Sequence, residues 1–238
     1  MGRTRGSLAG ALIPWQTIDR AIVPGYGELT LHQRGTFFVI RLDGQELMGS
    51  HDHGSEDLLA TLACAGLLAR ADARVLIGGL GLGYTLRAVL GVVGPSASVE
   101  VSELVGATVR WNRGPLGHLA DHPLDDRRAH VIERDVVDVI AGVRGHYDAI
   151  MLDVDNGPDT TSQWGNPRLY SEAGLRQIMR ALRPEGCVAI WAASETPSFI
   201  DAMRAVGLQS ECVRARQRGT SNRHVIWFGR MPSRGRAR

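Results

Sequence analysis

The stretch Val75–Arg87 reads VLIGGLGLGYTLR, and its changes of pattern decide the fold. Val75, Leu76 and Ile77 suit a buried strand, Gly78, Gly79, Gly81 and Gly83 allow a tight turn with close backbone approach, and a helical pattern resumes at Tyr84. A strand, a glycine-rich turn and a helix N-terminus together gather backbone amides around an electron-rich group. The stretch therefore reads as a nucleotide-binding turn, with Gly79, Gly81, Leu82 and Gly83 as the residues that line it.

Working outward, strand-like and helix-like runs alternate. Strands are predicted at Ala73–Ile77, Ser98–Ser102, His130–Glu133, Ala149–Leu152 and Cys187–Trp191, with helices near 84–92, 104–111, 135–142 and 171–182. Such alternation implies a parallel sheet with helices on both faces. Thr196 before Pro197 starts another helix, and the strand-like runs Ser210–Arg216 and His224–Phe228 predict a terminal antiparallel hairpin. Before the glycine turn, 28–48 has β character, with Asp43-Gly44 as a hairpin turn. Ser55 is read as the N-cap of a helix that opens with Glu56 and Asp57 and continues through the apolar run Leu58–Leu68.

Composition excludes several chemistries. All 27 basic residues are arginine, so Schiff-base mechanisms and a Walker-type phosphate loop, which need lysine, are ruled out. The chain has no G-x-S-x-G elbow and no HExxH helix. Three cysteines without a CxxC pair argue against a zinc site or a disulfide framework, and His51 and His53 lack a third ligand at a diagnostic spacing, so no metal is expected. Arg3, Arg5, Arg230, Arg234, Arg236 and Arg238 outnumber the net charge of +2, which leaves the body net acidic. The terminal clusters read as solvated tails, and neither nucleic-acid nor membrane binding is expected. With 44% hydrophobic residues and no apolar signal core, the sequence reads as a cytoplasmic protein.

Acidic residues recur where the predicted strands end. Glu103, with Glu100 as its competitor, stands roughly 20 residues beyond the turn, where an acid can accept the ribose hydroxyl hydrogens of a nucleoside. Asp135 follows the third strand of the alternating set and can serve both as a helix N-cap and as an acceptor for an adenine amino group. Asp153 and Asp155, alternating in an extended segment after the fourth, can act together on an amine or cation as a catalytic pair. The polar loop that follows, with Trp164 and Tyr170, is placed to close over a ligand.

With these residues assembled, the chain resembles the spermidine synthase (polyamine aminopropyltransferase) family over about residues 25–230. The resemblance is carried by Leu42-Asp43-Gly44, the glycine turn ending in Thr85-Leu86-Arg87, Val99-Glu100-Val101, Tyr147-Asp148-Ala149-Ile150 leading to Asp153, and Gly157-Pro158. It implies an α/β fold: a Rossmann-like, methyltransferase-type sheet, mostly parallel with a C-terminal antiparallel hairpin, behind a small N-terminal β domain. The expected organisation is a basic tail at 1–14, a β-hairpin domain at 15–54, an adenosyl-binding domain at 55–230 and an Arg-rich tail at 231–238. The resemblance further implies a sulfonium co-substrate, S-adenosylmethionine or its decarboxylated form, held by the turn, Glu100 or Glu103, Asp135 and Asp153. Asp155 would take the proton of a small-molecule amine, with Glu56, Trp164 and Tyr170 on the substrate side, and a homodimer is left open. The family turn, GGGDGG, has an acid where this chain has Leu82, and the family's Tyr-Gln pair is replaced by Glu56 and Asp57. Leu82 keeps open a methyltransferase on the same scaffold, and the altered turn keeps open a catalytically silent nucleoside-binding protein.

Overall fold

The computed structural model describes residues 13–51, 53–154, 157–158, 167–216 and 223–232. Asp155 and Trp164, the tails at 1–12 and 233–238, and the turn between the last two strands lie outside the described residues. The chain divides into two compact units, with the break after His51.

The smaller unit is a four-stranded antiparallel meander of β1 (Gln16–Val23), β2 (Gly27–Arg34), β3 (Phe37–Leu42) and β4 (Gln45–Gly49). Asp43 and Gly44 both adopt positive φ, +47° and +80°, as a tight hairpin requires, and the Asp43 carboxylate accepts from the Glu28 amide at 2.8 Å. Leu29 and Leu31 face the interior with Phe38, Ile40 and Leu42. The sequence predicts a hairpin starting at Glu28 and misses β1. A register shift between Thr17 and Asp19 breaks the alternation there, and only Val23 of the strand is buried, so no period-two signal survives.

The larger unit is a seven-stranded sheet in the order β10-β11-β9-β8-β5-β6-β7. The strands β5 (Arg74–Gly78), β6 (Ser98–Glu103), β7 (Ala129–Glu133), β8 (Tyr147–Leu152) and β9 (Leu182–Ala192) run parallel. β11 (Arg223–Arg230) is antiparallel to β9, and β10 (Gln209–Arg216) to β11. Val75, Leu76 and Ile77 are all fully buried, which explains the unbroken apolar run of β5. Val75 and Ile77 join the core beneath α1 (Gly54–Ala63) and α2 (Tyr84–Val92). Leu76 faces the other core, formed with α4 (Val136–Ala141), α6 (Glu172–Ala181) and α7 (Pro197–Ala205). Between them in sequence, α3 (Gly106–Arg113) follows β6 and the short α5 (Pro167–Tyr170) precedes α6.

Two local expectations change. α1 starts at Gly54 with His53 in the capping position, and it ends at Ala63 rather than running to Leu68; Ser55 lies inside the first turn and its hydroxyl bonds Glu56 instead of a backbone amide. β9 begins five residues before Cys187, because Leu182 pairs with Tyr147 across a register shift that absorbs the turn-like Pro184-Glu185-Gly186. Among the described residues, no helix is long and apolar enough to cross a membrane.

Candidate functional site

Strand order reverses between β5 and β8, since the chain passes from β5 outward to β6 and β7 and then returns to the opposite side of β5. Ligands of open α/β sheets sit outside the carboxyl ends of the strands at such a switch point. The glycine turn, Glu103, Asp135 and Asp153 all follow or end strands at that edge.

The turn is built into the sheet on both sides. The Gly79 amide donates to the Ser102 carbonyl at 2.8 Å, and the Asp153 amide donates to the Gly78 carbonyl at 2.9 Å. Gly79 has φ +88°, and a Cβ there would collide with the Asp153 carbonyl oxygen. Gly83, with φ +84°, caps α2, and a Cβ on it would stand 2.9 Å from the Asn112 side-chain oxygen. Asn112 also donates to the Gly81 carbonyl at 2.8 Å, so Trp111-Asn112-Arg113, read from sequence as packing and surface, contributes a brace to the turn. Leu80 and Leu82 are buried within it, 4% and 5% exposed.

Glu103 is the acid that this geometry brings to the turn. Its carboxylate, 8% exposed, accepts from the Leu80 amide at 3.0 Å on one oxygen and from the Val105 amide at 2.8 Å on the other. Burial raises its pKa above the ordinary carboxylate value, against the opposing pull of backbone hydrogen bonds, that from Val105 being the largest. Glu100 lies elsewhere: it pairs in mid-strand with Leu76 and His130, and its carboxylate takes the Tyr147 hydroxyl at 2.6 Å, which with burial pushes that phenol upward. Asp135 caps α4, accepting from the Val137 amide at 2.9 Å. Asp153 accepts the Thr85 hydroxyl at 2.8 Å, so α2 and the end of β8 are joined across the glycine turn.

Glu56 sits at the start of α1, where its charge acts on the buried Tyr84 phenol, whose pKa burial raises. Tyr84 is flanked by the His53 ring, 4.7 Å between centroids, and by the Arg87 guanidinium, 5.4 Å from the ring centre. Asp57 pairs with Arg87 at 2.9 Å and with His53 at 2.9 Å. Tyr170 is read from sequence as part of a closing loop; it lies in α5, and its ring meets Phe199 of α7 edge-on at 5.9 Å. Sequence reasoning missed Thr85, Tyr84 and Arg87 as neighbours of the acids, although all three follow the turn directly. Ser55, Trp191 and His224 were also missed: His224 lies 3.3 Å from the Ser55 hydroxyl and packs on Trp191, a meeting of segments far apart in sequence. Among the described residues, no group of three or more His, Cys, Asp or Glu side chains is arranged to hold a metal ion.

A seven-stranded, largely parallel sheet of the methyltransferase type, with a separate small antiparallel sheet ahead of it, defines the structural class. Within that class the chain is similar in fold to solved spermidine synthases. The structure of spermidine synthase from Thermotoga maritima is similar with a TM-score of 0.71 at 19% identity, over 91% of this chain and 73% of that one. A spermidine synthase in complex with the transition state analogue AdoDATO gives 0.71 at 18% identity, over 91% and 72%, and a probable spermidine synthase from Corynebacterium glutamicum gives 0.65 at 16%, over 90% and 79%. At these identities the likeness is one of fold. In sequence, the chain is 35% identical over 129 residues to polyamine aminopropyltransferase 1 of Streptomyces coelicolor, covering 53% of this chain and 23% of that protein. The chain thus spans about a quarter of the length of the curated relative it matches. No protein-family model matches it.

Proposed function

We propose that this chain transfers an aminopropyl group from decarboxylated S-adenosylmethionine to the nitrogen of a small amine. The observation that carries the reading is the meeting of the glycine turn, Glu103 and Asp153 at the switch point of a sheet shared with the spermidine synthases. The sequence likeness to an aminopropyltransferase supports it over methyl transfer. Leu82 speaks for the second reading, S-adenosylmethionine as methyl donor, because an apolar side chain neither pairs with the donor's ammonium nor repels a carboxylate.

In this reading Gly79, Gly81, Leu82 and Gly83 cradle the donor. Glu103, fixed by the Leu80 and Val105 amides, is the acceptor for the ribose hydroxyls. Asp135 accepts from the adenine amino group, and Glu56, Trp164 and Tyr170 line the acceptor side.

The chemistry is an in-line displacement. A free amine at neutral pH is almost wholly protonated, so its lone pair must first be released. Asp155 takes that proton, while Asp153, held by Thr85, keeps the local potential negative and orients the ammonium. The nitrogen lone pair then forms the N–C bond, the C–S bond breaks, and the sulfonium leaves as a neutral thioether. The protein's contribution is alignment and proton removal.

Calorimetric titration with decarboxylated S-adenosylmethionine, S-adenosylmethionine and methylthioadenosine, followed by mass analysis of products formed with 1,4-diaminobutane, tests this. An aminopropylated product is expected. A methylated product selects the second reading, and no binding of any of the three compounds overturns both. Asp155→Asn should retain donor binding and lose turnover.

A further inference from the structure

His224 is read from sequence only as the start of a strand, yet it contacts Ser55, whose hydroxyl bonds Glu56. Val225 of β11 pairs with Ala192 at the end of β9, so His224 stands just past that pair, at the carboxyl edge of the sheet. Its ring meets Trp191 at 4.7 Å with an interplanar angle of 63°, and its Nδ1 is 3.3 Å from the Ser55 hydroxyl. That hydroxyl is 2.7 Å from Glu56 Oε2 and donates to it. Among the described residues, Glu56 Oε1 takes no hydrogen bond.

The hydrogen count sets the direction of this chain of contacts. A serine hydroxyl has a single hydrogen, and here the carboxylate, which accepts only, uses it. The contact from His224 must then run the other way, with Nδ1–H donating to the serine oxygen. The imidazole is thereby assigned the Nδ1–H tautomer, and the polarised hydroxyl makes a stronger donor to Glu56. Without this relay the Glu56 side chain, near the start of a helix and only partly buried, is free to rotate.

We propose that His224 is a positioning residue: through the Ser55 hydroxyl it fixes one oxygen of Glu56, leaving the other to receive an ammonium of the acceptor. The Trp191 and His224 rings supply the wall beside that carboxylate. This rests on the amine-transfer reading above for the identity of the ligand, but the relay itself does not.

Two measurements test it. In protein labelled with ¹⁵N-histidine, His224 should show a protonated Nδ1 at neutral pH, and Ser55→Ala should abolish that preference. An Nε2–H tautomer in the unaltered chain overturns the relay whether or not the chain proves to be an enzyme.

The second measurement is steady-state transfer from decarboxylated S-adenosylmethionine to 1,4-diaminobutane. His224→Ala and Ser55→Ala should each raise the acceptor KM about tenfold, as expected for a lost hydrogen bond to a charged group, with a much smaller change in kcat and none in donor affinity. The double variant should be no worse than either single one, and His224→Asn, which places an N–H where Nδ1 stood, should recover most of the loss. Effects that add, or a KM that does not move, overturn the positioning role. If the unaltered chain transfers nothing, the functional reading fails, and the tautomer alone decides the relay.

Discussion

The Thr85 hydroxyl donates to Asp153 Oδ2 at 2.8 Å, tying the second residue of α2 to the residue that leaves β8. Thr85 is 3% exposed, so Thr85→Val keeps the packing and removes only the donor. Asp153 then loses one hydrogen bond to its carboxylate. Donor affinity should fall about tenfold, the range expected for a hydrogen bond to a charged group. Isothermal calorimetry beside a thermal melt reads both effects; an unchanged affinity would show that the orientation of Asp153 is immaterial to the donor.

Glu103→Gln separates charge from size. Both carboxylate oxygens accept backbone amides, from Leu80 and Val105, whereas glutamine has a single acceptor oxygen and turns its NH2 against one of those amides. The variant should lose about 1 to 3 kcal/mol of stability, the cost of a buried unsatisfied group, together with most of its donor binding. A pH signature accompanies it. Burial holds the folded-state pKa of Glu103 above the ordinary 4.5, so just above that value the folded chain holds a proton that the unfolded chain has released. This part of the stability is present at lower pH and is lost as the pH rises through the raised pKa. Urea midpoints measured upward from pH 4.5 should show this downward slope in the unaltered chain and a flatter one in Glu103→Gln.

Gly79→Ala tests how tightly the turn is bound to the sheet. The added methyl meets the Asp153 carbonyl oxygen, which belongs to backbone and cannot swing aside, and the φ of +88° is itself unfavourable for alanine. The turn must shift away from β8, which separates Asp153 from the amides around Leu80. Donor binding should be lost beyond the reach of calorimetry, while circular dichroism should still report a folded sheet. Retained affinity would mean that the donor does not use this turn.

What the sequence shows, and what it hides, follows from the range over which each signal acts. The parallel sheet was legible because Val75, Leu76 and Ile77 of β5 form an unbroken apolar run and the glycines follow it at once. Glu103 was legible only together with Glu100, because sequence gives a strand's existence more firmly than its last residue; the pairing of Glu103 with Glu133 is what marks it as the strand end. Ser55 was misread by two helix positions, since His53 takes the capping position and the serine side chain turns to Glu56 and His224 rather than to the backbone. β1 was hidden by its bulge. The Ser55–His224 contact joins residues 169 apart and leaves no local pattern to read.

The last prediction concerns the opposite edge of the sheet, where Asp148, 2% exposed, enters β8. Its carboxylate pairs with Arg70, accepts from the Arg183 guanidinium at 2.8 Å and takes the Arg74 amide at 2.8 Å, which binds three separate segments to one buried charge. In Asp148→Ala, Arg70 and Arg183 can turn toward water, since their side chains are 46% and 22% exposed, while the Arg74 amide loses its side-chain acceptor. The expected cost is therefore about 3 kcal/mol, at the low end for breaking a buried pair, or roughly 8 °C in Tm for a unit of this size. Because this cluster lies at the amino ends of the strands, donor affinity measured well below the new Tm should be unchanged. A variant that melts normally but binds donor weakly would show instead that Asp148 serves the crevice, and that the two edges of the sheet are coupled.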